Sequence, residues 1–310
     1  MSARRLAKIR TLAVTGGTGF VGQHLLRLAL DSGYEVRALT RGWKPPEDGI
    51  DWVDGALDRP DSLLKLVDGA DGVIHVAGVV NGSKAAFEAA NVTGTAAMVD
   101  AARKAGVRRF VHISSLAARE PQLSHYGWSK SRSERIVAAS GLEWTIIRPP
   151  AVYGPGDKET LELFKMARRG FVALPPGGHF SVIHVEDLCR LILAVLDAPE
   201  SVGETYEPDD GTPEGWDHRH FARTLGRVFG KRPATLAVPG VVVKGAARLD
   251  RLVRRSKAKL TPDRARYFCH PDWVVTAEAR PPEALWTPAI RTPTGLKATA
   301  EWYREQGWLR

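Results

Sequence analysis

Along the first half of the chain, short apolar runs alternate with stretches whose apolar residues recur at helical spacing. The runs are centred on Val14, Val36, Ile74, Val111 and Ile146. A short, continuous, β-branched run between turn signals reads as a strand buried on both faces. Strands that alternate with helices predict a parallel sheet with helices on both sides. After Tyr153 the pattern changes to connections rich in proline and glycine, around Pro175-Pro176-Gly177-Gly178. The expected organisation is α/β, a doubly wound parallel sheet with a smaller C-terminal lobe. Residues 1–153 form the sheet domain, and 182–204 return to it through a helical stretch at 186–197. Residues 154–181 and 205–310 form the smaller lobe, its second part starting at Thr205-Tyr206.

The first strand, Thr11–Thr15, runs directly into Gly16-Gly17-Thr18-Gly19-Phe20-Val21-Gly22, and a leucine-spaced helix follows from Gln23. Strand, glycine turn and helix in that order predict a phosphate site. Gly16 and Gly19 permit a tight turn and close backbone approach, and the helix N-terminus offers free N–H groups and partial positive charge. Gly22 lets the helix pack closely on the strand. The spacing is G-x-x-G-x-x-G rather than G-x-G-x-x-G, and the alternative is a glycine-rich turn without a ligand. NAD sites place an acid near the end of the second strand, to bond the ribose 2′-hydroxyl. Here that end reads Thr40-Arg41-Gly42, with Lys44 nearby. Arg41 can meet a 2′-phosphate, so NADP is preferred over NAD. If Arg41 is instead a solvated loop residue, both cofactors serve.

A second chemical set lies downstream. Phe110-Val111-His112-Ile113 ends at Ser114-Ser115, and Tyr126 and Lys130 sit four apart on one helix face. A free tyrosine is a poor acid/base near neutral pH, and a neighbouring ammonium or nicotinamide cation lowers its pKa. Tyr126 can then exchange a proton with a carbonyl or alcohol oxygen, and Ser115 can bond the same oxygen. Tyr-x-x-x-Lys alone carries little weight. With the serine pair and the glycine turn, it points to hydride transfer at a nicotinamide. The bland alternative is a buried tyrosine and a surface lysine.

These residues resemble the extended branch of the short-chain dehydrogenase/reductase superfamily, whose fold is Rossmann-type. The resemblance covers nearly the whole chain. It rests on Thr15 to Gly22, Val73-Ile74-His75-Val76-Ala77-Gly78, Asn91-Val92-Thr93-Gly94-Thr95, the run from Arg148 to Asp157, and Ile183-His184-Val185-Glu186-Asp187-Leu188. It implies Tyr126 as acid/base, Lys130 as its partner on the nicotinamide ribose, Ser115 orienting the substrate oxygen, and Asn91 as a further catalytic residue. It implies cofactor contacts from Thr18, Phe20, Val21, Leu57, Ala77, Gly78, Ser114 and Pro149, and a homodimer. It also places substrate choice after Tyr153, where His179, Phe180 and Trp216 are candidates, with His184 a structural hydrogen-bonder.

Three departures shape the expectation. Ala56 stands where the family often has an adenine-binding Asp. Leu116-Ala117 follows Ser115, against sugar dehydration. Only ten residues separate Ser115 from Tyr126, which leans toward a simple carbonyl or alcohol substrate. The expected function is NAD(P)-dependent oxidation or reduction of such a substrate. Nucleotide-sugar epimerisation and a non-catalytic NADP-binding subunit remain as alternatives.

Composition adds bounds. Cys189 and Cys269 are the two cysteines, which suits a reducing, cytoplasmic setting and provides no disulfide framework or metal ligand set. The basic start, Met1 to Arg10, precedes only one short strand, too short for a signal peptide or membrane span. The net charge is +9, and much of it lies between Lys244 and Arg266, including Arg248, Arg251, Arg254, Arg255, Lys257 and Lys259. Leu249, Leu252 and Val253 share one helical face there. That stretch reads as a solvated face, a membrane-surface contact, or a steering surface for an anionic substrate. No nucleic-acid motif accompanies it, so a nucleic-acid partner is not expected.

Overall fold

The computed structural model describes residues 10–254 and 261–309. Six strands open the chain: β1 (Thr11–Thr15), β2 (Glu35–Thr40), β3 (Ile50–Asp54), β4 (Gly72–His75), β5 (Arg109–Ile113) and β6 (Glu143–Ile147). With Glu204–Tyr206 they make a seven-stranded sheet in the order Glu204–Tyr206, β6, β5, β4, β1, β2, β3. Every pairing is parallel. The order reverses between β1 and β4, which opens a crevice at their carboxyl ends.

Both faces of this sheet are covered, which is why its central strands are continuous apolar runs rather than alternating ones. On one face Leu25, Leu26 and Ala29 of helix Phe20–Asp31 join Leu188, Leu191 and Ile192 of helix Val185–Ala194 against Leu12 and Val14. On the other, Leu63 and Leu66, Met98 and Val99, and Val137 pack from helices Pro60–Val67, Gly94–Lys104 and His125–Ala138. A third cluster forms the smaller lobe around Tyr153, Phe164, Phe221, Leu296 and Tyr303. The closing helix Thr292–Glu305 is pinned there by Tyr303, whose hydroxyl donates to the Asp157 carbonyl at 2.5 Å.

The structure corrects the sequence reading in three places. Thr205 and Tyr206 do not begin the smaller lobe. They lie in the edge strand of the main sheet, paired with Ile146 and Ile147. β3 is not among the five apolar centres, because an edge strand interrupted by Asp51 and Asp54 lacks a continuous apolar run. The returning helix spans Val185–Ala194, shorter than 186–197. The basic stretch begins as helix Gly240–Arg254, on which Leu249 and Leu252 are exposed. Arg255, Lys257 and Lys259 lie outside the described residues, as does the segment 1–9.

Candidate active site

The crevice is built from backbone first. Gly16 has φ +78°, and a side chain there would meet the Ala77 backbone nitrogen at 2.6 Å. A Cβ on Gly22 would lie 2.1 Å from the Gly16 carbonyl oxygen. These two positions hold the turn against β4 and against its own helix. Helix Phe20–Asp31 starts after Gly19 with no side-chain cap and no acid in its first turn. Its N-terminal N–H groups thus meet neither a capping side chain nor an acid. A turn too tight for a Cβ, facing an uncapped helix start, fits a dinucleotide pyrophosphate. The turn is tied to its neighbours: Thr15 Oγ1 lies 2.7 Å from His75 Nδ1 and accepts from the Ala77 N–H at 3.2 Å.

Leu57 packs where a Cβ on Gly94 would lie, 2.7 Å from its Cδ1. Gly78 approaches Asn91 and Lys130 so closely that a Cβ would stand 2.9 Å from Asn91 Oδ1 and 3.5 Å from Lys130 Nζ. The Pro149 carbonyl accepts from the Leu116 N–H at 3.0 Å, fixing the turn after Ser115. Arg41 is exposed just past β2, whereas the Lys44 ammonium sits 5.7 Å over the Trp52 ring. At Ala56, the backbone N–H donates to Ser62 Oγ at 3.2 Å.

Ser115, Tyr126 and Lys130 converge at the end of β5. Ser124 caps helix His125–Ala138 by accepting from the Gly127 N–H at 2.9 Å, and Tyr126 thus sits in the first turn. Lys130 is buried and its Nζ donates to the Ile113 carbonyl at 2.8 Å. Burial lowers the Lys130 pKa to about 8, and the charge of Glu134 opposes that shift. Burial raises the Tyr126 phenol above its usual value, while its hydrogen bond to Ser115 pulls it down. The sequence led us to expect a lowered value. The protein's own groups give the opposite direction, because desolvation of the phenolate outweighs the serine.

Asn91 is placed differently from a proton-transfer group. Its Oδ1 accepts from the Val79 N–H at 2.8 Å, and its Nδ2 donates to the Val79 carbonyl at 3.0 Å and to Ser129 Oγ at 2.9 Å. It lies in a π-helical turn, Glu88–Thr93, and braces the Gly78 loop against the Tyr126 helix. Below it, His75 and His112 stack with centroids 5.4 Å apart. Burial, and secondarily the Lys130 charge, holds His75 down to about 3 and His112 well below its usual value.

One assembly was not legible in the sequence. Ser114 Oγ donates to Glu134 Oε1 at 2.5 Å. Arg148 grips Glu134 with two bonds of 2.7 and 2.8 Å and reaches Glu207 at 3.3 Å. Glu207 continues to Arg119 at 3.1 Å and accepts from the Thr276 N–H at 2.9 Å. The chain of charges joins the serine pair to the smaller lobe. The only signal was Arg148 within its quoted run. Of the expected substrate-choosing residues, Trp216 is buried and donates to Asp210 Oδ2 at 2.8 Å, and Phe180 packs edge-on to Phe221. Both are packing residues; His179 is exposed. His184 accepts from the Glu186 N–H at 3.3 Å and caps its helix, the structural role expected.

The fold and its glycine crevice define a dinucleotide-binding α/β protein. Residues 12–207 match the NAD dependent epimerase/dehydratase family, and the chain belongs to that family. It is similar to the ceramide reductase of Caulobacter vibrioides, 36% identical over 96% of this chain and 96% of that protein. It is also similar to a 4-hydroxy-2-methyl-3-oxo-4-farnesyl-3,4-dihydroquinoline-1-oxide ketoreductase of Stigmatella aurantiaca, 29% identical over 78% of this chain and 80% of that one. Its fold matches the UDP-glucuronic acid 4-epimerase of Bacillus cereus in complex with NAD, with TM-score 0.73 and 18% identity, covering 96% of this chain and 99% of that one. At that identity the likeness concerns the fold. The family is nicotinamide-dependent, and its members similar to this chain include reductases. No helix among the described residues is long and apolar enough to cross a membrane.

Proposed function

We propose that the protein is an NADPH-dependent reductase that converts a ketone on a long-chain, ceramide-like lipid to an alcohol. The observation that carries the chemistry is the convergence of Ser115, Tyr126 and a buried Lys130 beside the glycine crevice. The similarity to a ceramide reductase along almost the whole of both chains supports the substrate class. The glycine turn and the N–H groups of helix Phe20–Asp31 hold the pyrophosphate, and Arg41 takes the 2′-phosphate. A bound NADPH supplies the hydride that adds to the carbonyl carbon.

The remaining work belongs to the protein. Ser115 donates to the carbonyl oxygen and fixes its position. Tyr126 gives its phenolic proton to that oxygen as negative charge develops there. Burial makes the phenol hold its proton more tightly, so donation in the direction of reduction depends on positive charge next to the phenolate that forms. Lys130 carries the positive charge that stabilises the phenolate left behind. Glu134 and Arg148 keep Ser114 and Lys130 in register.

The test is NADPH consumption with an oxo-ceramide in detergent micelles, with product identified by mass. Stoichiometric loss of NADPH and gain of two mass units in the lipid is expected. Nucleotide released on denaturation provides the counter-test. NAD that survives dialysis at one per chain, with no lipid turnover, would overturn the reductase reading in favour of an internal hydride cycle.

A further inference from the structure

Helix Gly240–Arg254 is seated the wrong way round for a soluble protein. Val241, Gly245, Leu249 and Leu252 share one face, by the three-to-four-residue spacing of a helix. Val241 is 82% exposed, Leu249 63% and Leu252 76%. The opposite face, marked by Ala247 at 0% exposure, is the one against the protein. The strand leading into the helix, Ala234–Ala237, turns Leu236 outward as well. A contiguous apolar face left to solvent is costly unless something covers it.

The charge carried by this stretch of the sequence points to what does. Residues 231–266 hold eleven Lys and Arg against two Asp, a formal excess of nine that equals the net charge of the entire chain. Lys244 and Arg248 are exposed along one border of the apolar stripe. An apolar face bordered by cations fits a bilayer with anionic headgroups, where the stripe enters the acyl boundary and the cations stay at headgroup level. A nucleic acid would use the cations and leave the stripe uncovered.

The helix is also coupled to the active site. It packs against helix Pro262–Phe268. Asp263 of that second helix accepts from the His125 N–H at 2.9 Å, and Arg266 donates to the Leu123 carbonyl at 3.1 Å. Both contacts brace the chain immediately before Tyr126. Tyr267 is close enough for the Tyr126 phenol to raise its pKa further, after burial.

We propose that helix Gly240–Arg254 docks the protein on an anionic lipid bilayer and so sets the mouth of the Tyr126 site at the membrane surface. The inference rests on the lipid-reductase reading for what passes through that mouth, and not for the docking itself. A lipid with long acyl chains then reaches Tyr126 without crossing water.

The test is co-sedimentation of the full chain with vesicles of phosphatidylcholine, alone or mixed with phosphatidylglycerol. The protein should pellet with the anionic vesicles and be released by salt. Leu249→Glu with Leu252→Glu should cut binding roughly tenfold or more, and Lys244→Glu with Arg248→Glu should weaken its salt-sensitive part. Both pairs are exposed, so thermal unfolding and turnover of ketone in detergent should stay unchanged. Failure of the wild type to pellet, or equal pelleting of the leucine variant, overturns the proposal. So does a dimer in solution that the leucine variant dissolves, since a second copy then covers the stripe. Docking without lipid turnover would break the reductase reading alone, and turnover in detergent without docking would break this one alone.

Discussion

Two helices of similar length treat the usual inside-out rule in opposite ways. Helix His125–Ala138 buries Ser129, Lys130, Ser133 and Glu134. Helix Gly240–Arg254 leaves Val241, Leu249 and Leu252 in solvent. An ordinary surface helix does neither. In the first, each buried polar group has a partner: Lys130 on Ile113, Ser133 on the Lys130 carbonyl, Glu134 on Arg148. Such satisfied polar groups cost little and hold Tyr126 rigidly. In the second, nothing among the described residues covers the stripe. The difference teaches that one helix buries polar groups because each finds a partner, whereas the other leaves apolar groups outside, which is the basis of the docking proposed for it.

The sharpest way to test the inward helix is Tyr126→Phe. Removing one hydroxyl should lower kcat by about 10²–10⁴ while leaving dinucleotide affinity intact. Full turnover in that variant would end the proton-donor assignment. Next in size is Glu207→Ala. It leaves Arg119 without its carboxylate partner and Arg148 with only Glu134. Urea unfolding should report a loss of about 3 kcal/mol. A loss within error would mean that the charge chain is ornament to the fold.

The stacked histidines give a pH test. His75 is held at about 3 in the folded chain against a usual 6.5. The unfolded chain therefore takes up a proton below 6.5 that the folded chain refuses until about 3. Their stabilising share is whole above 6.5 and is lost as pH falls through that window. At pH 5 the loss from His75 should be about 2 kcal/mol. His112 acts in the same direction. His75→Asn should flatten the dependence of unfolding free energy on pH between neutrality and pH 5, and an unchanged slope would refute the buried neutral pair. The smallest effect concerns the sheet end. Arg41→Ala should weaken NADPH about tenfold and NADH little, read by fluorescence titration. Equal losses would remove the 2′-phosphate argument.

The sheet half was largely legible. Its central strands are buried on both faces, so their apolar runs are unbroken and stand out in the sequence. The glycine turn was legible because Gly16 and Gly22 occupy places that no side chain can enter. Tyr126 and Lys130 were legible because helical spacing alone puts them on one face. β3 escaped because its acids break the run, and Glu204–Tyr206 escaped because three residues carry almost no pattern.

The sequence by itself determined the central strands of the sheet, the glycine turn, the shared helix face of Tyr126 and Lys130 and the existence of a basic, amphipathic helix. These are local properties, fixed by spacing, by the absence of a Cβ and by residue type. Only the tertiary structure decided which side of that helix faces the protein. It also decided that Asn91 braces a loop, that Lys130 is buried enough to lose basicity, and that Ser114, Glu134, Arg148, Glu207 and Arg119 form one chain. Burial and long-range ion pairing depend on what surrounds a residue, and residues as far apart as Arg119 and Glu207 become neighbours only when the sheet closes over them.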